Sequence, residues 1–458
     1  MNNTAMLVDN QRAYFDTGET KSVAFRLLQL KTLKEAILRN RENVYAALKK
    51  DLNKSRFEAY ESEVAMVMQE LHFVSKNLEA WAKPKLVYTP IINVPGISHI
   101  HKEPYGVVLI MAPWNYPFQL AMLPLIGAIA AGNCVIVKPS NYAPATSGVV
   151  SFILESCFDK EYVAAVTGGR EANASLLENR FDYIFFTGGT AVGKFVMESA
   201  AKHLTPVSLE LGGKSPCIVD ETAALKISAQ RIAWGKCLNA GQTCVAPDYL
   251  LVHRSVKDAF LKHLTAYIEK YFGDEPQNNP DYPKMINEKH FNRIRSLIAS
   301  GGTLVCGGQV NHETLQIAPA VIDNVTWDMP VMQEEIFGPV LPVIVYDDIH
   351  EAVKRIQSRP KPLALYLFTR NSKNRDLVMG SCSFGGGCVN ETVTHMINHR
   401  MPFGGVGESG MGQYHGKYSF DTFSHEKSVL HKSSLWEPFV RYAPYNKAKL
   451  TILKFFMH

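Results

Sequence analysis

The sequence predicts an α/β fold with a doubly wound, largely parallel sheet, a second α/β unit and a small β arm. Three observations predict it. Between residues 105 and 212, short apolar runs alternate with helical segments. The apolar runs are unbroken, as in strands that are buried on both faces. Helical crossovers between consecutive strands imply that those strands are parallel.

The chain before this sheet is predicted to be helical and then extended. In residues 20–82, apolar residues recur at three- and four-residue intervals with charges on the opposite face. The stretch 84–103 is interrupted by Pro90 and Pro95, which favours a hairpin or arm over a central strand.

The elements of the two α/β units follow in order. In the first unit the expected strands are 105–112, 134–138, 162–166, 182–187 and 207–211, and the expected helices are 117–131, 144–157, 171–178 and 190–203. A second α/β stretch, 213–400, has its own strands in YLLVHR, LPVIVYD and LALYLFT. After residue 425, SVLH predicts one more strand, followed by a short tail bounded by proline.

The composition is that of a globular protein, with 46% hydrophobic and 20% charged residues. A net charge of +5 over 458 residues does not indicate a nucleic-acid partner. The start lacks the layout of a signal peptide, and the most apolar run, 118–131, is shorter than the roughly 20 residues of a membrane span. Eight scattered cysteines without a C-x-x-C pair indicate neither a disulfide framework nor a metal site, and they suit a cytoplasmic location.

Two glycine-rich segments need to be weighed as phosphate sites. FFTGGTAVGK, at 185–194, follows a strand and opens a helix, where backbone N–H groups can approach a phosphate. Its spacing also fits a P-loop, but Phe195 stands where a magnesium-binding Ser or Thr is required, so a nucleotide triphosphatase is disfavoured. GVGESG, at 405–410, matches G-x-G-x-x-G but has no strand before it, so we interpret it as a chance match, a decoy, and not as a phosphate-binding turn.

Four polar or reactive residues are candidates for catalysis or binding. Three of them lie at or just after the ends of predicted strands, and the fourth follows small and polar residues. Cys244 follows small and polar residues in NAGQTC, so a substrate could approach its thiol. A lone cysteine is more often a small buried hydrophobe, and that interpretation holds for the other seven. Glu210 is an ion-pair partner or a general base, Asn115 caps a helix or donates to an oxyanion, and Lys138 ends a strand.

The ordered set MAPWNYP, VKPS, FFTGGTAVGK, LELGGKSP, GQTCVAP, EEIFGP and MPFGGVGESGMG, within 100–425, resembles the aldehyde dehydrogenase superfamily. The short chain, GQTCVAPDY and GMGQYHGKYSFDTFSH resemble its class 3 branch, which acts on fatty and aromatic aldehydes. The resemblance implies a homodimer that oxidises medium- or long-chain aliphatic or aromatic aldehydes to carboxylic acids with NAD or NADP.

The resemblance also implies roles for the matching residues. Cys244 is the nucleophile that forms a thiohemiacetal and then a thioester, Glu210 is the general base for deacylation, and Asn115 is the oxyanion donor. A positive local potential would favour this chemistry by lowering the thiol pKa. The implied cofactor-binding residues are Trp114, Lys138, Asn141, Thr187, Gly188, Gly189, Val192, Gly193, Glu335 and Phe337. Of these, Lys138 matches the family residue that contacts the adenosine ribose. Residues 187–193 match the segment that binds the pyrophosphate, and Glu335 and Phe337 match the residues that hold the nicotinamide end.

The sequence departs from the family pattern at the position of Asn141. Members that favour NAD often carry a glutamate there, which repels a 2′-phosphate, so we predict that NADP is tolerated or preferred. Thr243 and Val245 flank the nucleophile, so no vicinal disulfide can form beside it. We also expect Tyr60, Trp114 and Tyr116 to line the aldehyde site.

Three other functions compete with this interpretation. The same thiol could transfer an acyl group to coenzyme A or hydrolyse esters, although Glu210 disfavours coenzyme A as the acceptor. A non-catalytic scaffold is disfavoured by the intact set of Asn115, Glu210 and Cys244. A cysteine protease is weaker still, since the closest histidine, His253, lies in a strand-like segment.

These patterns divide the chain into four parts. We expect a dinucleotide-binding domain in 1–83 and 104–209, a catalytic domain in 210–400, a bridging and oligomerisation arm in 84–103 and 425–435, and a tail in 436–458. The basic, apolar end of the tail favours docking on a partner subunit, with shallow membrane contact as the alternative.

Overall fold

The computed structural model describes residues 3–457; the outermost residues of the predicted dinucleotide-binding domain and tail, 1–2 and 458, lie outside it. The helices are α1 (Asn3–Asp16), α2 (Val23–Leu52), α3 (Arg56–Ala59), α4 (Ala65–Ala82), α5 (Gln119–Ala131), α6 (Pro144–Glu155), α7 (Arg170–Leu177), α8 (Thr190–Ala201), α9 (Leu225–Cys237), α10 (Lys257–Phe272), α11 (Glu288–Ile298), α12 (Ile349–Gln357), α13 (Ser372–Ser381), α14 (Lys417–Thr422) and α15 (Lys447–Phe456).

The strands form three sheets and one small two-stranded ladder. They are β1 (Lys85–Val87), β2 (Gly96–Pro104), β3 (Val107–Met111), β4 (Cys134–Lys138), β5 (Val163–Ala165), β6 (Tyr183–Thr187), β7 (Val207–Glu210), β8 (Pro216–Val219), β9 (Tyr249–His253), β10 (Thr303–Cys306), β11 (Val310–Asn311), β12 (Gln316–Ile317), β13 (Ala320–Asp323), β14 (Val340–Tyr346), β15 (Ala364–Phe368), β16 (Gly386–Val389), β17 (Gly410–Met411) and β18 (Ser424–Lys432).

The first sheet has the order β17-β7-β6-β3-β4-β5 and is parallel except for β17. Every residue of β3 and β4 is buried, which explains their unbroken apolar sequences. The strand order reverses between β3 and β6, so the sheet is doubly wound as predicted. This reversal matters because ligands bind open α/β sheets outside the strand ends at such a point.

Helix α5 covers this sheet and is buried along its whole length. Its apolar residues therefore surround the helix instead of forming one stripe. The helix ends at Gly132, whose φ of 98° is the left-handed conformation that glycine adopts most easily. Its first residue, Gln119, lies at the functional edge of the sheet.

The second sheet has the order β10-β13-β14-β9-β8-β15-β16 and is parallel except for β10. It contains the three strands that the sequence predicted for the second α/β unit, as β9, β14 and β15. The nucleophile candidate Cys244 lies between α9 and β9, so this unit supplies the thiol.

The third sheet is a three-stranded arm of order β1-β2-β18. Strands β2 and β18 pair antiparallel from Pro104 with Ser424 to Gly96 with Lys432. The stretches near residues 84–103 and 425–435, which the sequence assigned to one arm, therefore meet in one sheet.

The tail contains a helix, α15, that the sequence analysis did not predict. An apolar cleft of about 310 Å³ lies between this helix and the arm and is lined by Ile91, Val94, Phe439 and Leu453, among others. Within residues 3–457, no helix is both long enough and apolar enough to cross a membrane.

Candidate active site

The carboxyl ends of the first sheet's strands lie side by side and carry the polar residues singled out in the sequence. Lys138 is in register with Met111 at the end of β3, and Thr187 is in register with Glu210. Asn115 lies in the turn that follows β3. The structure therefore gathers these predicted site residues along one edge of the sheet.

The backbone just before Cys244 is held in an unfavourable conformation. Asn239, Ala240 and Gly241 have φ angles of 52°, 51° and 70°. Left-handed backbone is costly for residues with a Cβ, and it persists where surrounding contacts impose it. A Cβ at Gly241 would lie 2.3 Å from the carbonyl oxygen of Gly338, so this position requires glycine.

Hydrogen bonds impose this conformation. The backbone N–H of Asn239 donates to the Glu58 carboxylate over 2.7 Å. The side-chain amide of Asn239 donates to the carbonyl of Asn115 over 2.7 Å and to that of Gln242 over 3.1 Å. The segment that leads to the nucleophile is thereby tied both to α3 and to the turn after β3.

Cys244 and Glu210 line one small cavity of about 20 Å³, which we call the inner cavity. Its lining residues are Tyr116, Gln119, Leu120, Thr187, Glu210, Leu211, Thr243, Cys244, Val245, Leu363, Met396, Phe403 and Tyr414. Both Glu210 carboxyl oxygens and the Thr187 hydroxyl are buried without a hydrogen-bond partner among the described residues. An unpaired buried polar group costs about 1–3 kcal/mol, so these groups indicate a ligand site.

Burial disfavours the charged forms of the ionisable groups of this site. It raises the pKa of Glu210 well above the ordinary value. Burial, with Asp248 nearby, raises the pKa of Glu335 to about 8. Burial and then the charges of Glu335 and Glu210 raise the pKa of Cys244 to about 12.

The charged groups around Cys244 do not favour its thiolate. A positive local potential would lower the thiol pKa, but here Glu335 and Glu210 make the largest charge contributions at the sulfur, and both raise its pKa. A negative neighbour disfavours the thiolate, so the thiol stays protonated near neutral pH until another group accepts its proton.

The candidate oxyanion donors are two backbone N–H groups at the sulfur and the side-chain amide of Asn115, which does not itself line the inner cavity. The backbone N–H groups of Cys244 and Val245 are close enough to bond the Cys244 sulfur and partly offset the rise of its pKa. Asn115 is 3% exposed, and its side-chain amide donates to the Gln242 carbonyl over 3.0 Å. An amide nitrogen has two hydrogens, so one remains for a further acceptor.

A buried ion pair holds the turn that carries Asn115. Lys54 and Glu63 are fully buried and lie 2.6 Å apart. The Lys54 ammonium also donates to the Asn115 carbonyl over 3.2 Å and lies 3.9 Å from the centre of the Tyr116 ring. One cation therefore fixes both the backbone and the ring at the start of the turn.

Glu63 fixes the other end of the same turn. It lies in a π-helical turn, Tyr60–Val64, of a kind that is frequent at functional sites. Its second carboxylate oxygen accepts the N–H groups of Phe118 over 3.0 Å and Gln119 over 2.9 Å. We call the ion pair, together with these backbone contacts, the Lys54–Glu63 clamp.

A second cavity, the outer cavity, lies beside the inner one and shares Tyr116, Gln119 and Met396 with it. Its lining residues are Glu61, Ser62, Met66, Tyr116, Gln119, Trp234, Leu238, Val393, Met396 and Ile397. Glu61 is the one charged residue in this lining. A mostly apolar passage that meets a thiol suits an apolar substrate.

Of the three aromatic residues expected at the aldehyde site, Tyr116 lines both cavities. Tyr60 is 56% exposed and lines neither cavity. Trp114 lines neither cavity and packs in another cluster, with its ring 5.0 Å from His290 and 5.3 Å from Phe337. The expectation was wrong for Tyr60 and Trp114, because a sequence does not reveal where neighbouring side chains of a turn point.

The glycine-rich turn after β6 leaves an open helix N-terminus. Gly188 donates its N–H to the Glu210 carbonyl over 3.0 Å, which anchors the turn to β7. Gly189 is the N-cap of α8, and a Cβ there would meet no atom within 4 Å. The first N–H groups of a helix lack intrahelical partners and carry its positive end, so this turn fits a phosphate.

Two residues of helix α8 suit a bound dinucleotide, one through close packing of the helix and the other through an exposed apolar side chain. A Cβ at Gly193 would lie 2.7 Å from the Leu211 side chain, so the missing side chain lets the helix pack closely. Val192 is 48% exposed on the first turn and offers an apolar surface to a flat ring. Together with the unpartnered Thr187 hydroxyl, these features fit a dinucleotide.

A larger cleft of about 420 Å³ connects this N-terminus with Glu335. Its lining includes Thr190, Gly212, Lys214, Glu335 and Lys361. A Cβ at Gly212 would lie 2.2 Å from a Glu335 carboxyl oxygen. The expected pyrophosphate and nicotinamide ends of a cofactor site therefore open into one space between the two sheets.

Lys138 and Asn141 lie farther along the same edge, after β4. The Lys138 ammonium is buried and donates to the Pro139 carbonyl over 2.9 Å, and burial lowers its pKa to about 8. Asn141 is exposed, and a Cβ at Gly169 would lie 3.6 Å from its amide nitrogen. Arg170, which follows Gly169, begins α7.

Sequence reasoning missed the residues that act through long-range contacts. Lys54, Glu58, Glu63 and Asn239 gave no motif signal, because each of them also binds a group more than 50 residues away in the chain. The 405–410 segment, interpreted as a decoy, packs instead against β7, where Gly410 pairs with Glu210.

Comparisons with known proteins place this geometry among relatives. The family model described as the aldehyde dehydrogenase family matches residues 3–429. A 4,4'-diaponeurosporen-aldehyde dehydrogenase of Staphylococcus aureus is 47% identical over 98% of this chain and 97% of its own. Aldehyde dehydrogenase family 3 member B1 of Rattus norvegicus is 45% identical over 96% of this chain and 95% of its own.

Solved structures agree with these sequence relatives. Staphylococcus aureus AldH in a substrate-bound state superposes with a TM-score of 0.98 at 46% identity and covers 100% of both chains. An NAD-dependent aldehyde dehydrogenase from Sinorhizobium meliloti gives 0.87 at 29% identity over 96% of this chain and 88% of its own. The predicted α/β fold is therefore confirmed.

The raised pKa of Cys244 predicts how fast an alkylating reagent attacks it. Because the pKa is about 12, the thiolate fraction, and with it the iodoacetamide rate, rises about tenfold per pH unit from pH 7 to 9. Glu335→Gln speeds the reaction at pH 9, where Glu335 is charged in the native protein. Peptide mass spectrometry measures the rate, and a plateau below pH 9 would contradict the raised pKa.

The effect of the Lys54–Glu63 clamp on the stability of the protein can be separated from its effect on the position of Asn115. Lys54→Met leaves a buried carboxylate unpaired and lowers the free energy of unfolding by about 3–5 kcal/mol. The double variant Lys54→Met/Glu63→Gln recovers more than half of that loss, because no lone charge remains. Its kcat for aldehyde oxidation stays about 10–100-fold low, because Asn115 is no longer held. Urea unfolding and steady-state kinetics measure the two effects, and full recovery of kcat in the double variant would rule out positioning.

Proposed function

The chain belongs to the aldehyde dehydrogenase family, and we propose that it oxidises an aldehyde to a carboxylic acid through a covalent adduct on Cys244. The observation that carries this proposal is the inner cavity. One small space brings together a thiol and a carboxyl group whose two oxygens have no partner among the described residues. A nucleophile and a base in one solvent-poor cavity are what covalent oxidation of an aldehyde requires.

The first step forms a bond between the Cys244 sulfur and the aldehyde carbon. The thiol proton passes to the ionised form of Glu335 or Glu210, the two carboxyl groups whose charges act on the sulfur. The acceptor releases this proton before Glu210 acts as the base for deacylation. The aldehyde oxygen takes the electron pair of its double bond and becomes an oxyanion. The side-chain amide of Asn115 and the Cys244 N–H stabilise it, and loss of one such donor typically costs about 3 kcal/mol.

The second half of the reaction removes the acyl group. Oxidation of the thiohemiacetal leaves a thioester on Cys244. Glu210 accepts a proton from a water molecule, the resulting hydroxide attacks the thioester carbon, and the acid leaves as the thiolate re-forms. The raised pKa of Glu210 makes it a better proton acceptor than an exposed glutamate.

NAD or NADP, when bound, supplies the hydride acceptor for this oxidation. The solved Sinorhizobium meliloti relative is named as NAD-dependent, which supports the same cofactor class here. Thr187 to Gly193 and the α8 N-terminus would hold the pyrophosphate. Glu335, Phe337 and Trp114 would hold the nicotinamide end, and Lys138 with Asn141 would hold the adenosine ribose.

The outer cavity supports a neutral, mostly apolar aldehyde as substrate. Met66, Trp234 and Val393 offer an apolar surface, and the carboxylate of Glu61 disfavours a negative charge on the substrate. The Staphylococcus aureus relative is named for 4,4'-diaponeurosporen-aldehyde. We propose medium- or long-chain aliphatic or aromatic aldehydes for this chain.

Two alternatives on the same fold are weaker. Acyl transfer to coenzyme A would not need the buried carboxyl group of Glu210 beside the thiol. Cysteine proteolysis would need a histidine, and no histidine is among the lining residues of the inner cavity. His253 instead bonds Ser255 over 2.8 Å in the second sheet.

Two substitutions test the covalent route. Cys244→Ala lowers aldehyde-dependent reduction of the cofactor by on the order of 10⁴-fold or more, because the nucleophile is gone. Glu210→Gln lowers the steady-state rate by about 10²–10⁴-fold and allows a burst of one reduced cofactor per site, because deacylation stalls. Absorbance at 340 nm and mass spectrometry of the acyl adduct measure both.

Cys388→Ala is the matched control, since Cys388 is also half-buried but lines neither cavity. It should leave the rate unchanged. Full activity of Cys244→Ala would refute the covalent route, and acyl-coenzyme A as the main product would favour the transferase alternative.

Asn141 predicts that NADP is accepted. A neutral amide does not repel a 2′-phosphate, and Arg170 begins a helix next to Gly169, which lies near the Asn141 amide. Asn141→Glu lowers kcat/KM for NADP at least about tenfold relative to NAD, because it adds a like charge. Steady-state kinetics with both cofactors measure the ratio, and a large excess of NAD efficiency in the unaltered chain would refute the prediction.

We also propose that the arm forms a homodimer, with the tail docking on the partner subunit. Leu86, Ile97 and Leu430 are exposed on the arm, and clustered apolar surface favours an interface. Sedimentation velocity of the full chain should give a dimer mass, and Leu430→Glu should shift it towards a monomer. A monomeric full chain would overturn the proposal. The cytoplasmic location stays a prediction.

A further inference from the structure

Gln119 presents a buried amide whose hydrogen-bonding capacity is unused. The residue is 1% exposed, and its side-chain Nε2 group has no hydrogen-bond partner among the described residues. A buried amide without a partner costs about 1–3 kcal/mol, which an apolar side chain of similar size would avoid. The Nε2 group is a donor, so the missing partner is an acceptor.

This amide lies where the inner and outer cavities meet. The two cavities share Tyr116, Gln119 and Met396. The Tyr116 hydroxyl is already bonded to the Thr243 hydroxyl over 2.6 Å, and a thioether is at most a weak acceptor. Of the three residues at this junction, Gln119 therefore supplies the available donor.

The surroundings neither satisfy this amide nor allow it to move away. The Gln119 backbone N–H is bonded to Glu63 over 2.9 Å, as part of the Lys54–Glu63 clamp, and α5 is buried along its length. Across the outer cavity, Ser62 already donates its hydroxyl to the Glu58 carbonyl over 2.7 Å. Apart from Glu61, the other walls of the outer cavity, such as Trp234 and Val393, accept no strong hydrogen bond.

We infer that Gln119 is a specificity-determining residue that selects aldehydes with an uncharged acceptor oxygen in an otherwise apolar chain. Its Nε2 group donates to that oxygen while the aldehyde carbon reaches Cys244. Glu61, in the lining of the outer cavity, disfavours a carboxylate as the acceptor. The inference rests on the proposed oxidation at Cys244 and adds the feature of the substrate that is recognised.

A series of matched aldehydes tests the inference. Nonanal is compared with analogues in which an ether oxygen replaces the methylene at position 4, 5, 6 or 7, so that length and shape hardly change. The measured quantity is kcat/KM of each analogue relative to nonanal, in the unaltered enzyme and in Gln119→Leu. Met396→Leu is the matched control, because it alters the same junction without removing a donor.

The expected result is position-specific. At one oxygen position, Gln119→Leu lowers the analogue-to-nonanal ratio at least about tenfold, because the ether oxygen loses its donor. For nonanal, kcat/KM changes less than it does for that analogue, and Met396→Leu leaves the ratio within about twofold. A general packing defect would instead lower kcat/KM for every aldehyde in parallel.

Two failures remain distinguishable. If Gln119→Leu leaves the ratio unchanged at every position, the inference is overturned, while oxidation of nonanal that depends on Cys244 still supports the proposed function. If the unaltered enzyme oxidises neither nonanal nor any analogue, the proposed function fails first and the inference falls with it.

Discussion

The Lys54–Glu63 clamp is the interaction on which the arrangement of the site depends. Taking two charges out of water costs several kcal/mol for each, so such a pair persists only with close pairing and further hydrogen bonds. Here the two charges lie 2.6 Å apart, and both side chains also bind backbone groups of the turn after β3. A buried pair with these geometric demands leaves that turn few alternatives. Asn115 and Gln119 therefore stand in fixed positions before any substrate enters.

Burial at the inner cavity determines the pKa values of the acidic groups in this fixed site. Burial raises the pKa values of Glu210, Glu335 and Cys244 together, so the ligand-free site favours the neutral form of each group. The neutral forms have the lower free energy where three acidic groups share one solvent-poor space, because desolvation and mutual repulsion disfavour the charged forms. In the proposed mechanism the thiolate is thus formed on demand, by proton transfer within the site, and the unpaired carboxyl group is available for the water that ends the cycle.

Two α/β units must meet for this chemistry, and each contributes what the other lacks. The first sheet ends in an open edge where Gly189 and the N-terminus of α8 fit a dinucleotide. The second unit supplies Cys244 and Glu335 from segments outside its own sheet. The large cleft between them, of about 420 Å³, joins Thr190 to Glu335 and provides the space for the proposed cofactor. The strained turn at Asn239 brings the thiol to the same junction.

The sequence by itself determined the order and type of the main elements, because buried parallel strands and crossover helices leave apolar patterns that depend only on neighbouring residues. It also singled out Glu210 and Asn115, since polar residues at strand ends interrupt those patterns, and Cys244, since small and polar residues precede it. Only the tertiary structure decided the Lys54–Glu63 clamp, the raised pKa of Cys244 and the exposed position of Tyr60. Ion pairing, burial and side-chain direction depend on atoms from distant parts of the chain, and a local sequence pattern carries no information about such contacts.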